Sequence, residues 1–415
     1  MIRLGDVADV YVSGVDKKTL PDELPIRLCN YTDIYYNWAI RNEMRQTFML
    51  ASAKKEEICK FQLHAGQVVI TKDSETRDDI GHSAVVVNDF EDVILGYHCA
   101  LISPHANELD GQYLNALFRV RYISDYLSRN AGGSGQRYYL SDSVIKNIPL
   151  YLPALSEQLR IAGLLGSLDE KIELNRKKIA ELETLAKTIY DYWFVQFDFP
   201  DKDGRPYKSS GGKMVWNVQL KREVPEGWDV GNLYDLAIFE NGLACQRFRP
   251  EKDEMGLPVI KIREMHEGIN SNTEFVSCSI PQKHRITDGN LLFSWSASLE
   301  TMIWCGGEGG LNQHIFKVIP KENYSIEYVY RQLSAYLANF KKMAEARKTT
   351  MGHITSNHLT QSRVVLPPVP ILRDFNSLLS SIFDQSIVLQ QQTKSLIQQR
   401  DELLPLLMNG QVVVK

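Results

Sequence analysis

Apolar positions between residues 156 and 195 recur at alternating spacings of three and four. Leu165, Leu168, Ile172, Asn175, Ile179, Leu182, Ala186, Ile189 and Trp193 fall on one narrow stripe. That spacing is the seam of a helix that meets a partner helix. No proline interrupts the stretch, and Gly163 and Gly166 are its only glycines, so one helix is predicted from Ser156 to about Val195. At a rise of about 1.5 Å per residue it spans roughly 60 Å. Glu170, Glu173, Lys177, Lys178, Glu181 and Glu183 keep the other faces charged, which argues for a two-helix seam over full burial.

The second half of the chain replays the first in outline. Leu4-Gly5-Asp6-Val7-Ala8 is matched to Val230-Gly231-Asn232-Leu233-Tyr234, and Leu24-Pro25-Ile26-Arg27 to Leu257-Pro258-Val259-Ile260. The short apolar runs Gly66–Ile70 and Gly289–Phe293, bounded by turn residues, read as equivalent strands. Gly96-Tyr97-His98 leads a strand closing at Pro104, as Asn312-Gln313-His314 leads one closing at Pro320. Amphipathic helices follow at Tyr113–Leu127 and Glu327–Met343, each succeeded by a small-residue loop, Gly132–Gly135 or Thr349–Gly352. A proline-ended strand then precedes a long helix in each half.

The second long helix is expected from about Leu372 to Met408, with Pro405 kinking or ending its last turn. Leu379, Ile382, Leu389, Leu396, Leu403 and Leu407 supply its seam, and Ser386, Thr393 and Arg400 read as interruptions. Residues 198–226, rich in Gly, Ser, Pro and charge, read as a linker. The resulting division is a lobe (1–153), a helix (154–197), a linker (198–226), a lobe (227–367) and a helix (368–415). Two heptad helices in this order pair economically only if they run in opposite directions. The expected fold is α+β: two α/β lobes separated by two long helices that form an antiparallel intramolecular coiled coil, with a pseudo-two-fold repeat. Asn175 and Gln390 are candidate polar pairing positions fixing its register.

Composition narrows the function. A 415-residue chain with 44% apolar residues buries more than one core. Without a basic and apolar leader or an apolar run near about 18 residues, the expected location is the cytoplasm. Cys29, Cys59, Cys99, Cys245, Cys278 and Cys305 form no CxxC pair, which points to buried thiols and away from a zinc ribbon or a disulfide framework. Neither lobe is basic: residues 1–153 carry 16 basic and 20 acidic side chains, and residues 225–367 carry 15 and 16. Nucleic-acid binding would therefore rest on local patches.

Catalytic signatures are missing. Neither a glycine-rich cofactor turn nor an N/D-P-P-aromatic loop occurs, Leu366-Pro367-Pro368-Val369 being the nearest string. Pro21-Asp22 and Pro200-Asp201 lack the second element of a metal-gathering nuclease motif, and Walker A, HExxH and GxSxG are absent. His98 and His314 read as structural histidines. No metal ligand set is expected, and no residue is assigned to catalysis.

Binding surface remains. Lys72, Ser74, Glu75 and Arg77 sit in a donor- and acceptor-rich loop at a strand end, where side chains can meet base edges or phosphates. Gln136, Arg137 and Tyr138 follow a glycine-rich turn, and Gln and Arg are the types that pair bidentately with adenine and guanine. In the second lobe Ser294, Ser296 and Ser298 surround a tryptophan. Lys341, Lys342, Arg347 and Lys348, with Thr349, Thr350 and His353, form the most basic cluster and a candidate phosphate clamp.

These strings resemble a known family. Leu152–Gln158 opening a helix, Leu168–Arg176, Trp193-Phe194-Val195 and Gly204–Gly212 are similar to the central conserved region of the specificity subunits of type I restriction-modification systems. Lys72–Thr76, Gly96-Tyr97-His98 and Asn312-Gln313-His314 resemble strings in their target-recognition domains, so the likeness runs nearly the whole chain. It implies a non-catalytic subunit: each lobe reads one half of a bipartite double-stranded DNA target, and the helices set the spacer between halves and dock two methylation subunits. S-adenosylmethionine is then expected on those partners, with no cofactor on this chain, and a restriction and translocation subunit joins for cleavage. Ile371-Leu372 stands where the first copy has Glu157-Gln158, a departure that puts identical partner contacts at the two helices in question. A coiled-coil scaffold whose lobes bind proteins is the alternative, and an autonomous DNA-modifying enzyme would need the motifs found missing.

Overall fold

A computed structural model describes residues 2–133, 135–270, 272–296, 298–346, 354 and 356–414. Two compact units divide the chain: residues 1–172 with 396–415, and residues 173–395. Each holds an α/β lobe and a stretch of both long helices.

In the first unit the strand Cys99–Pro104 lies at the heart of a five-stranded sheet, flanked by Ala8–Val12 and Val68–Thr71, both antiparallel to it. A second sheet places Leu24–Cys29 between Met49–Ala53 and the parallel strand Val93–Leu95. Val68–Thr71, Val93–Leu95 and the first four residues of Cys99–Pro104 are buried throughout, which is why they read as continuous apolar runs without alternation. The second unit repeats the plan: Ile315–Pro320 lies between Ala237–Asn241 and Leu291–Ser294, and Leu257–Ile260 runs parallel to Gly309–Leu311.

The repeat holds, and its phase is sharper than the matched strings suggest. Ala8 pairs with Pro104 and Ala237 with Pro320, so Leu4–Ala8 corresponds to Leu233–Ala237 and not to Val230–Tyr234. A glycine matched by identity had drawn the register three residues off. The physical marker is the carboxylate that caps each opening turn: Asp6 accepts from the Arg3 N–H at 2.9 Å, and Asp235 from the Asn232 N–H at 2.8 Å.

The first long helix runs Leu155–Tyr190 and ends in a π-turn, Asp191–Val195. The wider turn lets the consecutive Trp193 and Phe194 both enter the core, where Phe194 packs 4.7 Å and Trp193 5.6 Å from Phe375 of the second helix. The second helix spans Val369–Met408, starting a turn earlier than expected and carrying Pro405 inside its last turn. In the first unit Ile161, Ala162 and Leu165 share a core with Leu404 and Leu407. In the second, Ala186 and Tyr190 share one with Leu372, Phe375 and Leu379. The start of each helix thus meets the end of the other, and the pair is antiparallel.

Ser386, Thr393 and Arg400 do not interrupt this seam; they are in it. Ser386 and Thr393 are buried, and Arg400 is largely so. Asp169 of the first helix, itself buried, receives Arg41 at 2.5 Å and Arg400 at 3.6 Å, and Trp38 covers the Arg400 guanidinium at 4.6 Å. The Gln390 amide donates to Ser386 at 3.3 Å and not to Asn175, whose own amide is fully buried without a hydrogen-bond partner among the described residues.

Two further expectations change. The helix expected at Tyr113–Leu127 is two, Gly111–Phe118 and Arg121–Asn130. The break turns Arg119 back to donate to the Ser83 carbonyl at 2.8 Å and to lie over Trp38. Residues 198–226 form no loose linker. Phe199 stacks between Tyr207 and Trp228 at 4.7 and 5.1 Å, Asp198 accepts from the Ser209 N–H and hydroxyl, and Met214–Asn217 pairs with Arg222–Pro225 as a hairpin. Composition misleads here because the few aromatics that fasten the loop are spaced among glycines and serines.

Candidate nucleic-acid interface

In the first unit two loops distant in sequence meet at one sheet edge. Asp73–Ser74 pairs with Tyr138–Tyr139, which in turn pairs with Gly132–Gly133. Gly133 makes the tight turn: its φ is +109°, and a Cβ there would lie 2.2 Å from the Arg137 carbonyl oxygen. The turn delivers Gln136 and Arg137 beside the Lys72–Arg77 loop, bringing together two segments that the sequence offered separately.

Asp73, Ser74, Glu75, Thr76, Gln136 and Arg137 line a cleft of about 600 Å³ with Tyr31, Tyr35, Asp79, Tyr97 and His98. Asp73 lies at its floor, nearly buried, with Lys72 at 3.2 Å, His98 Nδ1 at 2.8 Å and Arg137 at 3.6 Å. Arg137 also approaches His98 Nδ1 at 2.8 Å, but one ring nitrogen carries either a hydrogen or a lone pair. It therefore either donates to Asp73 or accepts from Arg137, whose guanidinium also forms an ion pair with the carboxylate at 3.6 Å. Asp79 accepts from the Tyr35 hydroxyl at 2.6 Å and contacts His82 at 2.7 Å. Burial alone would raise the Asp79 carboxyl, yet the Tyr35 and His82 hydrogen bonds hold it below the ordinary value. Lys17 stands over the Tyr31 and Tyr97 rings at 5.6 and 5.9 Å, and Arg77 over Tyr138 at 5.2 Å.

His98 is therefore part of the cleft and not a histidine satisfied elsewhere. Tyr31, Tyr35, Asp79 and Tyr97 were missed by sequence reasoning, because they come from a short helix, Tyr31–Tyr35, and from two separate loops. The signal available was the Gly96-Tyr97-His98 string itself, an exposed-type triplet set immediately before a buried strand.

The second unit builds the same frame with other chemistry. The Lys72 N–H donates to the His98 carbonyl at 2.9 Å, and the Trp295 N–H to the His314 carbonyl at 3.2 Å. Ser294 is fully buried, its hydroxyl donating to the Ser298 carbonyl and accepting from the Glu300 N–H at 3.2 Å. It closes a turn instead of presenting a surface hydroxyl, since the strand end packs on both faces. Ser296 is buried and Ser298 exposed. The Trp295 indole N–H donates to Asn241 at 3.2 Å, and its ring lies 5.6 Å from His314. Lys341 and Lys342 are exposed near the end of the helix Ile326–Ala346. Arg347, Lys348, Thr349, Thr350 and His353 lie outside the described residues. No helix among the described residues is long and apolar enough to cross a membrane.

Two lobes of one topology, each ending in a histidine-bearing loop and joined through an antiparallel helix pair, define a duplicated two-site recognition protein. Residues 1–184 and 225–399 match the model of the type I restriction modification DNA specificity domain, and the chain belongs to that family. It is 25% identical over 412 residues to the type I restriction enzyme MjaIX specificity subunit of Methanocaldococcus jannaschii, covering 95% of this chain and 87% of that protein. The HindI specificity subunit of Haemophilus influenzae is 23% identical over 463 residues, covering 99% and 98%. The crystal structure of a type I restriction-modification S subunit from M. genitalium shares the fold with a TM-score of 0.56 at 12% identity, covering 98% of this chain and 94% of that one.

Proposed function

We propose that this chain is the non-catalytic DNA-specificity subunit of a type I restriction-modification complex. Each lobe reads one half of a bipartite duplex target, and the helix pair sets the gap and docks two methylation subunits. Those partners bind S-adenosylmethionine and methylate adenine; a restriction and translocation subunit completes the assembly. The observation that carries the reading is the meeting of the 72–77 and 132–138 loops around one polar, tyrosine-lined cleft at a sheet edge, on a frame that the second unit repeats. Such a cleft offers donors and acceptors in fixed positions, which base-edge readout requires. The charged outer faces of the helices, clear of the seam, are the surface offered to the methylation subunits.

Selection of bound duplexes from a randomised library, using the chain with its methylation subunits, tests this. Two short sequences at a fixed gap are expected. Inserting one heptad into both helices, beside Lys178 and opposite it, keeps the seam in phase and should lengthen the gap while leaving both half-sites unchanged. Altered half-sites would contradict the spacer role, and absent or salt-insensitive DNA binding would favour a protein-binding scaffold.

A further inference from the structure

The polar groups of the first unit's cleft divide into those already used and those left over. Asp73 is paired with Lys72 and Arg137 and lies 2.8 Å from His98 Nδ1, and Asp79 is held by Tyr35 and His82. The Ser74 hydroxyl accepts from the Thr76 N–H at 3.2 Å. Glu75 and Gln136 are different: both line the cleft, are exposed and have no side-chain partner among the described residues, and of the two only Glu75 carries a charge. The nearby cations are engaged elsewhere: Lys72 and Arg137 pair with Asp73, and Arg77 lies over the Tyr138 ring at 5.2 Å.

A free carboxylate on a face presented to phosphodiesters is repelled by them. It is compatible with that face only where it meets a hydrogen-bond donor, because an ionised carboxylate accepts and never donates. On the major-groove edges of base pairs the donors are exocyclic amino groups, N4 of cytosine and N6 of adenine.

The second unit supplies the contrast. The shared hydrogen bond from Lys72 or Trp295 to the following histidine carbonyl fixes the equivalence of the two frames. Counting from it, Ser296 stands in place of Asp73, and the shorter second loop, which rejoins its sheet at Glu300 where the first rejoins at Ser83, carries Ser298 in the region of Glu75. His314 accordingly has no carboxylate at its Nδ1, which is buried without a partner among the described residues.

We propose that Glu75 is a specificity-determining residue that selects an amino-bearing base, cytosine or adenine, in the half-site read by the first unit, and that the loop at residues 295–299 of the second unit has no counterpart to it among the described residues. This rests on the DNA-specificity reading above. The two lobes then read by different chemistry, a carboxylate acceptor in one and hydroxyl, indole and amide groups in the other.

The test compares duplex selection by the full chain with its methylation subunits, for the natural sequence, Glu75→Gln and Ser298→Ala. Glutamine keeps the shape, adds a donor and removes the charge. Glu75→Gln should relax or shift one position, a cytosine or adenine, in one half-site, lowering discrimination there by about tenfold or more. The other half-site and the gap should stay fixed, and Ser298→Ala should leave the Glu75-dependent position untouched. Unchanged preferences with Glu75→Gln, or a shift at a position requiring an oxo group, would overturn the assignment while leaving DNA specificity intact. Failure of the natural chain to select any sequence would overturn both. An unchanged thermal midpoint for Glu75→Gln, expected of an exposed side chain, confirms that the effect is on readout and not on folding.

Discussion

Gln158 shows how a family-like string can be structural. It is buried in the first turn of the first long helix, where its Oε1 accepts from the Asp110 N–H at 3.1 Å and its Nε2 donates to the Glu108 and Pro153 carbonyls, both at 3.0 Å. Every polar atom of the side chain is spent within its own lobe, so the Glu157-Gln158 string does not offer Gln158 to a partner. Leu372, at the matching place in the second helix, is buried in an apolar core and needs no such clamp. Gln158→Ala leaves one N–H and two carbonyls without their partner. Glu108 is exposed, so water takes over its carbonyl, and the other two groups at about 1–3 kcal/mol each give an expected loss of about 2–6 kcal/mol in urea unfolding. A loss below about 1 kcal/mol would mean that water replaces the amide.

At the scale of the helix, the seam was legible because its three-four spacing is long and unbroken, whereas its polar members were not. Ser386, Thr393 and Arg400 follow one another at heptad spacing, so they hold the seam position even though their side chains look like breaks. Thr393 satisfies its hydroxyl on the Leu389 carbonyl at 2.7 Å, and Arg400 its charge on Asp169. Asn175 alone among these carries an amide with no partner among the described residues. Buried polar groups in a seam cost stability and fix register. Asn175→Leu should therefore raise stability by about 1–2 kcal/mol by removing an unsatisfied amide. A stabilised variant that also loses the fixed gap in duplex selection would identify Asn175 as a register determinant. A destabilised one would mean that the amide is paired in solution.

For the whole molecule, the sequence made the duplication and the order of elements plain, since strand, helix and proline recur in both halves. Composition failed where a few residues decide: Phe199, Tyr207 and Trp228 fasten a stretch that otherwise reads as a linker, and the outward loops gather Tyr31, Tyr35 and Tyr97 from segments with no shared pattern. Charge is the property that remains informative at this scale. Near-neutral lobes release few counterions, so this chain alone should bind duplex DNA with a shallow dependence on salt. On the proposed assembly, adding the methylation subunits should steepen the dependence, because they would supply most of the phosphate neutralisation. Lys341 and Lys342 are the exception, exposed together on one helix end. Replacing both with alanine should weaken binding to all sequences alike and reduce the slope of log affinity against log salt by about two. Fluorescence anisotropy with matched and mismatched duplexes across a salt series measures both effects. A loss confined to one half-site sequence would place these lysines at base edges, and an unchanged slope would remove them from the interface.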